Sequence, residues 1–116
     1  MEPKDTQQGM IGFAFANALV AGEYNNAYNM LSTSLQAELS PILLKERFES
    51  MISYGRSAPN SVEIMSVLDD WPGKQALDIG WAYVAIDGDG FCEAVSIIVK
   101  QEQTKQVISD IDWGRP

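Results

Sequence analysis

Near Ser61 the apolar residues of this chain change their spacing, from steps of three and four before it to alternation after it. Asp5 or Thr6 can cap a first helix running to about Ala21, where Gly22 is a natural stop. Ile11, Phe15, Ala18 and Leu19 share one face of that helix. Phe13 and Val20 lie opposite, so other elements are expected to enclose it. Tyr24, Ala27, Tyr28 and Leu31 form the stripe of a second, short helix, and Leu35 and Leu39 suggest about one more turn. Ser40-Pro41 then reads as an N-cap followed by proline at the first helical position. It opens a helix with Leu44, Phe48, Met51 and Ile52 on its apolar side, ended by Gly55.

A connector over 57–61 leads to strands expected at 62–71, 74–87, 91–102 and 105–113. Trp71-Pro72-Gly73, Asp87-Gly88-Asp89-Gly90 and Gln103-Thr104 are the turns between them. The prediction is an α+β fold, with N-terminal helices packed on a curved, mainly antiparallel four-stranded sheet, in a single domain spanning 1–116.

If both hairpins have two-residue loops, counting sorts the side chains by face. One face collects Asp78, Gly80, Ala82, Val84 and Ile86, then Glu93, Val95, Ile97 and Val99, then Ile108, Asp110 and Asp112. The other collects Leu77, Ile79, Trp81 and Tyr83, then Cys92, Ala94, Ser96 and Ile98, then Val107, Ile111 and Trp113. Both faces are largely apolar and the helices can cover only one. The other is therefore expected to meet a second subunit, giving a homodimer through the sheet.

Composition narrows the chemistry. The 116 residues include 16 acids, 8 bases and no histidine, for a net charge of -8. The bases are scattered without a run, so nucleic acid is an unexpected partner. A basic protein partner fits the charge, and so does plain solubility. Without histidine, Ser-His-Asp and Cys-His nucleophiles and His-ligated metals are excluded. Cys92 is the single cysteine and reads as a small core residue, with a cytoplasmic, reducing setting expected. The apolar stretch 10–21 is too short to span a bilayer and lacks a positive leader, so no membrane association is expected. Asp87-Gly88-Asp89-Gly90 lacks the later oxygen ligands of a calcium loop, and no metal or cofactor motif is present.

Asp110 and Asp112 are the weak catalytic candidates. As alternate residues on one strand they share a face, and in the counted register they lie near Gly80, Ala82, Val95 and Ile97. Buried there, carboxylates would be pushed up toward neutral pH and suit proton transfer. In the competing reading they stand in solvent at a strand end, paired with Arg115 or Lys100. Asp78, Tyr24, Tyr28, Tyr83, Trp81 and Trp113 are candidate binding residues, although Tyr24 and Tyr28 also suit helix packing.

The helix-then-sheet order, Phe15 and Leu19, the run from Ala21-Gly22-Glu23-Tyr24 through Ala27-Tyr28 to Leu31-Ser32, and the closing Ile108-Ser109-Asp110-Ile111-Asp112-Trp113 together resemble the NTF2-like superfamily, the cystatin-like α+β cone. That resemblance implies helices closing a cone whose interior often binds a small molecule, and a sheet through which many members dimerise. It spans members that are isomerases, dehydratases or cyclases and members that are transport factors or immunity proteins. Its matched residues are packing signatures and carry no chemistry. Two functions follow as expectations. One is a non-catalytic protein-binding module, such as a toxin-neutralising immunity protein. The alternative is a small hydrophobic ligand pocket or an acid-base enzyme of isomerase or cyclase type.

Overall fold

The computed structural model describes residues 2–53, 55 and 58–114. After a 3-10 turn at Pro3–Asp5 come four helices, α1 (Gln7–Val20), α2 (Tyr24–Asn29), α3 (Thr33–Glu38) and α4 (Pro41–Ile52). Four strands follow, β1 (Pro59–Leu68), β2 (Asp78–Gly88), β3 (Phe91–Glu102) and β4 (Lys105–Trp113). Every pairing is antiparallel and the sheet order is β1-β2-β3-β4. The α+β class and the order of its elements follow the sequence expectation.

Local chemistry accounts for the helix boundaries. The Thr6 hydroxyl accepts the Gly9 N–H at 3.0 Å, and Ser32 and Ser40 cap α3 and α4 in the same way at 3.1 and 3.2 Å. At the end of α1, Gly22 takes φ +75, the left-handed region that glycine enters without penalty. The Glu23 N–H then donates to the Ala18 carbonyl and the Gly22 N–H to that of Leu19. This pair of bonds closes α1 and turns the chain directly into α2.

The helices lie on one side of the sheet, with α1 resting on β1, β2 and β3. Phe15, Ala16, Leu19, Leu44, Phe48, Val84, Ile97 and Ile108 are fully buried or nearly so in the core between them. Gly12 brings α1 close to the sheet. A methyl group there would lie 3.1 Å from Val84 and 3.3 Å from Ala82, so helix and strand are already in contact. The expectation that α1 would be enclosed on all sides fails, because Phe13 and Met10 are 44% and 60% exposed.

Four residues interrupt the pairing and set the geometry of the outer face. Asn60 and Met65 in β1, Ile79 in β2 and Ser109 in β4 are extra relative to their partner strands, while β3 runs without a break. Each extra residue reverses which side chains point toward the helices. β2 starts four residues later than expected and β1 three earlier, because 69–77 form the connection around Pro72-Gly73. Of the connector expected at 57–61, Ser57 lies outside the described residues and Pro59 already pairs with Gly88.

Candidate functional site

The counted register holds through Val99↔Ile108 and fails one residue later. Ser109 is the extra residue, so Asp110 pairs with Ile98 and Asp112 with Ser96 rather than with Ile97 and Val95. Both carboxylates are thereby exposed on the face away from the helices, and Ile111 and Trp113 turn inward to pack on the core. This corrects the placement of Asp110 and Asp112 on the apolar inner face. It also corrects Trp113, which is a packing residue of the helix side. Asp78 moves by the same logic: the extra Ile79 pairs it with Lys100, on the outer face, while Gly80 faces α1.

The pattern of the sequence carries the signal for these reversals. In Val107-Ile108-Ser109-Asp110-Ile111-Asp112-Trp113 two apolar residues are adjacent, and the apolar positions then continue on the opposite parity. A strict alternation would bury two carboxylates and expose Ile111 and Trp113, whereas one bulge repairs all four positions. Val62, Ile64, Met65 and Val67 show the same change of parity in β1.

The space that small residues were expected to leave inside the cone is occupied. Over Gly80 lies the Gln8 side chain, whose amide carbon an added methyl would strike. Gln8 is itself 3% exposed, and its Nε2 donates to the Leu68 carbonyl at 3.2 Å and to the Asp69 carboxylate at 2.9 Å. A buried amide tied at both partners locks α1 to the end of β1. Ala82 is covered by the approach of Gly12.

Tyr24 and Tyr28 pack from α2 against the core. Burial raises the Tyr24 phenol above its ordinary value, and Glu49 nearby raises it further. Cys92, expected in the core, is exposed on the outer face opposite Asp87. At the β3–β4 hairpin both Glu102 oxygens accept the Thr33 N–H at 3.2 Å, beside an open depression of about 140 Å³ lined in part by Gln36 and Lys105. Hydrogen bonds from Thr33 hold the Glu102 carboxyl below its ordinary value. Among the described residues no group of three or more His, Cys, Asp or Glu is arranged to hold a metal ion.

What remains open is the outer face. No protein-family model, curated protein or solved structure matches this chain. Trp81 and Tyr83 stack with ring centroids 6.1 Å apart and planes 22° from parallel. They are half-buried, and in the next strand Ile98 lies beside Trp81 and Ser96 beside Tyr83. On the far side of these, Asp110 and Asp112 complete the rows along β4. On the near side, Leu68 and Met65 of β1 are 42% and 53% exposed. Leu68 and Met65 had not been expected to take part, and the break in β1 parity is the signal that brings them here. The face is thus apolar and aromatic around Leu68, Trp81, Tyr83 and Ile98, with exposed carboxylates at Asp110 and Asp112 of β4 and at Glu63 of β1. Among the described residues, no helix is long and apolar enough to cross a membrane.

Proposed function

We propose that this chain is a non-catalytic protein-binding module that docks its partner on the outer face of the sheet, with a toxin-neutralising immunity protein as its most concrete form. The observation that carries the reading is the pairing of a filled helix side with an uncovered opposite face bearing Trp81, Tyr83, Ile98, Leu68 and Met65. Half-buried aromatic and aliphatic side chains grouped on one surface are what interface centres are made of. The resemblance of the sequence to the NTF2-like superfamily, which has immunity and transport members, is in keeping with the same reading. Asp110 and Asp112 act here as contact residues and not as bases, since they stand exposed and apart from the packed cone interior.

The test is co-purification with the product of the neighbouring gene, followed by Trp81→Arg and Leu68→Arg. Loss of the complex with an unchanged unfolding midpoint is the expected result. A complex that survives both changes and is broken instead at Phe13 or Met10, on the helix side, refutes the placement. Sedimentation of the isolated chain tests the homodimer expected from the two apolar faces, which would use the same surface.

A further inference from the structure

The two edges of the sheet are finished differently. At β4 the segment 30–32 bridges Ile108, and two backbone hydrogen bonds occupy the edge there. At β1, among the described residues, no hydrogen bond beyond the ladder to β2 reaches 59–67, and the first one comes at the Leu68 carbonyl from Gln8. An edge strand turns the N–H and C=O of alternate residues outward, where they template a further strand. The extra residues Asn60 and Met65 bound the run 61–64, which pairs regularly with 84–87 of β2. Breaks on either side guard the edge against open-ended sheet growth and leave an opening for a short segment.

The side chains along 61–64 define what fits. Val62 and Ile64 face the helices and stay half-buried, whereas their partners in β2, Ile86 and Val84, are fully buried. The apolar layer under the helices is therefore incomplete at β1. Glu63 points to the outer face, exposed and without an ion pair among the described residues. Across the sheet it meets Ala85 and then Ala94, and along its own strand Ser61 and Ser66 share its face, so no cation stands beside it in the sheet. Resting on the docking reading above, we propose that the partner enters from this edge, adding an extended segment to β1 as a fifth strand. Its apolar side chains lie beside Val62 and Ile64, and an arginine or lysine between them lies beside Glu63. Main-chain hydrogen bonds give the attachment, and the alternation of apolar and basic residues gives the selection. Leu68, further along β1, continues the contact onto the outer face. Charge selects this occupant over a second copy of the chain. Glu63 is the single charged residue of β1, so two β1 strands paired together would leave both carboxylates without a cation. β4 does bring Lys105, but its edge is already bridged at Ile108.

The experiment titrates the full-length chain, observed by amide NMR, with two capped peptides of the same alternation, Thr-Val-Arg-Val-Thr and Thr-Val-Glu-Val-Thr. The expected result is that the Arg peptide shifts the amides of 61–64, slows hydrogen exchange at alternate ones, and binds at least about threefold more tightly than the Glu peptide. Glu63→Lys should reverse that preference, whereas Glu46→Lys, the same charge change at an exposed helix position, should leave its direction intact. N-methylation of alternate peptide amides should abolish binding in one phase and spare it in the other, as a strand paired on one side requires. Equal loss in both phases, equal affinity for the two peptides, a preference that Glu46→Lys also reverses, or no shift at millimolar peptide would overturn strand addition. Slow exchange at 61–64 in the free chain, together with a dimer in sedimentation, would place a second copy on the edge and overturn it too. Shifts at Trp81 and Ile98 without 61–64 would overturn it while leaving the docking face standing. Shifts confined to the helices would remove both.

Discussion

Ile97 and Ile98 are neighbours in one strand with the same side chain, yet they belong to different environments. Ile97 is fully buried against α1, and Ile98 lies half-exposed beside Trp81. The helix side is bound by shape: Gly12 touches Val84, and Gln8 fills the place above Gly80. On the outer side Trp81, Tyr83 and Ile98 stay half-exposed. One surface therefore spends its apolar area on folding, whereas the other keeps it for contact.

The strongest way to break this division is to delete Ile111, beyond the bulge. One residue short there, β4 must turn either Asp112 (if Ser109 stays extra) or Asp110 (if it does not) under the helices. Burying an unpaired carboxylate costs at least about 3 kcal/mol. The expected outcome is loss of cooperative urea unfolding followed by circular dichroism, whereas deletion of Ser109 itself keeps every pair and should be tolerated. An Ile111 deletion of near-native stability would show that the parity of β4 does not set the faces.

The next effect compares the two isoleucines directly. Ile97→Ala should lower unfolding stability by about 2–5 kcal/mol, because it leaves a cavity that α1 cannot close. Ile98→Ala should stay within about 1 kcal/mol while weakening partner docking. Similar losses at both positions in chemical denaturation would mean that the outer face is covered in the isolated chain.

A smaller effect is expected at Gly80. Gly80→Ala would push the Gln8 amide off its two acceptors, at a cost of about 1–3 kcal/mol. In the background of Gln8→Ala the same change should cost much less, and a double-mutant cycle measures the difference.

The smallest effects are those of pH, and they sit at the periphery of both faces. Glu102 is depressed below its ordinary 4.5, so its contribution is present above that value and is lost as pH falls through the folded-state value. Glu102→Gln should flatten the acid side of the stability profile. Tyr24 is raised above its ordinary 10.0 by burial and by Glu49, so its contribution is whole below pH 10 and fades as pH rises through the folded-state value. Tyr24→Phe should remove that alkaline slope in urea titrations.

The elements and their order were legible because they depend on local spacing: Thr6, Gly22, Ser40 and Pro41 mark boundaries that the structure keeps within a few residues. The face assignments of β2 and β3 from Gly80 to Val99 were legible for the same reason, since no extra residue intervenes. The ends of the strands were not, because counting assumes an unbroken ladder and a single inserted residue reverses everything beyond it. Asp110, Asp112, Asp78 and Trp113 all fall beyond such a break. The filling of the cone was hidden for another reason. Gln8 is a polar residue near the start of a helix, and only the partners it finds 60 and 61 positions away explain its burial.

The parallel bridge between Leu31 and Ile108 also joins distant parts of the chain. Ser32 donates to the Ile108 carbonyl at 2.8 Å and Ile108 donates to that of Met30 at 2.9 Å, covering the edge of β4 at that point. The two tight hairpins bring β2, β3 and β4 together through short loops, so that part of the sheet can assemble at little cost in chain entropy. This clasp instead closes a loop of most of the chain length, and its entropy is recovered only when nearly everything else is in place. It should therefore form late and open early, leaving the middle of β4 as the first backbone to exchange its amide hydrogens in an otherwise folded molecule.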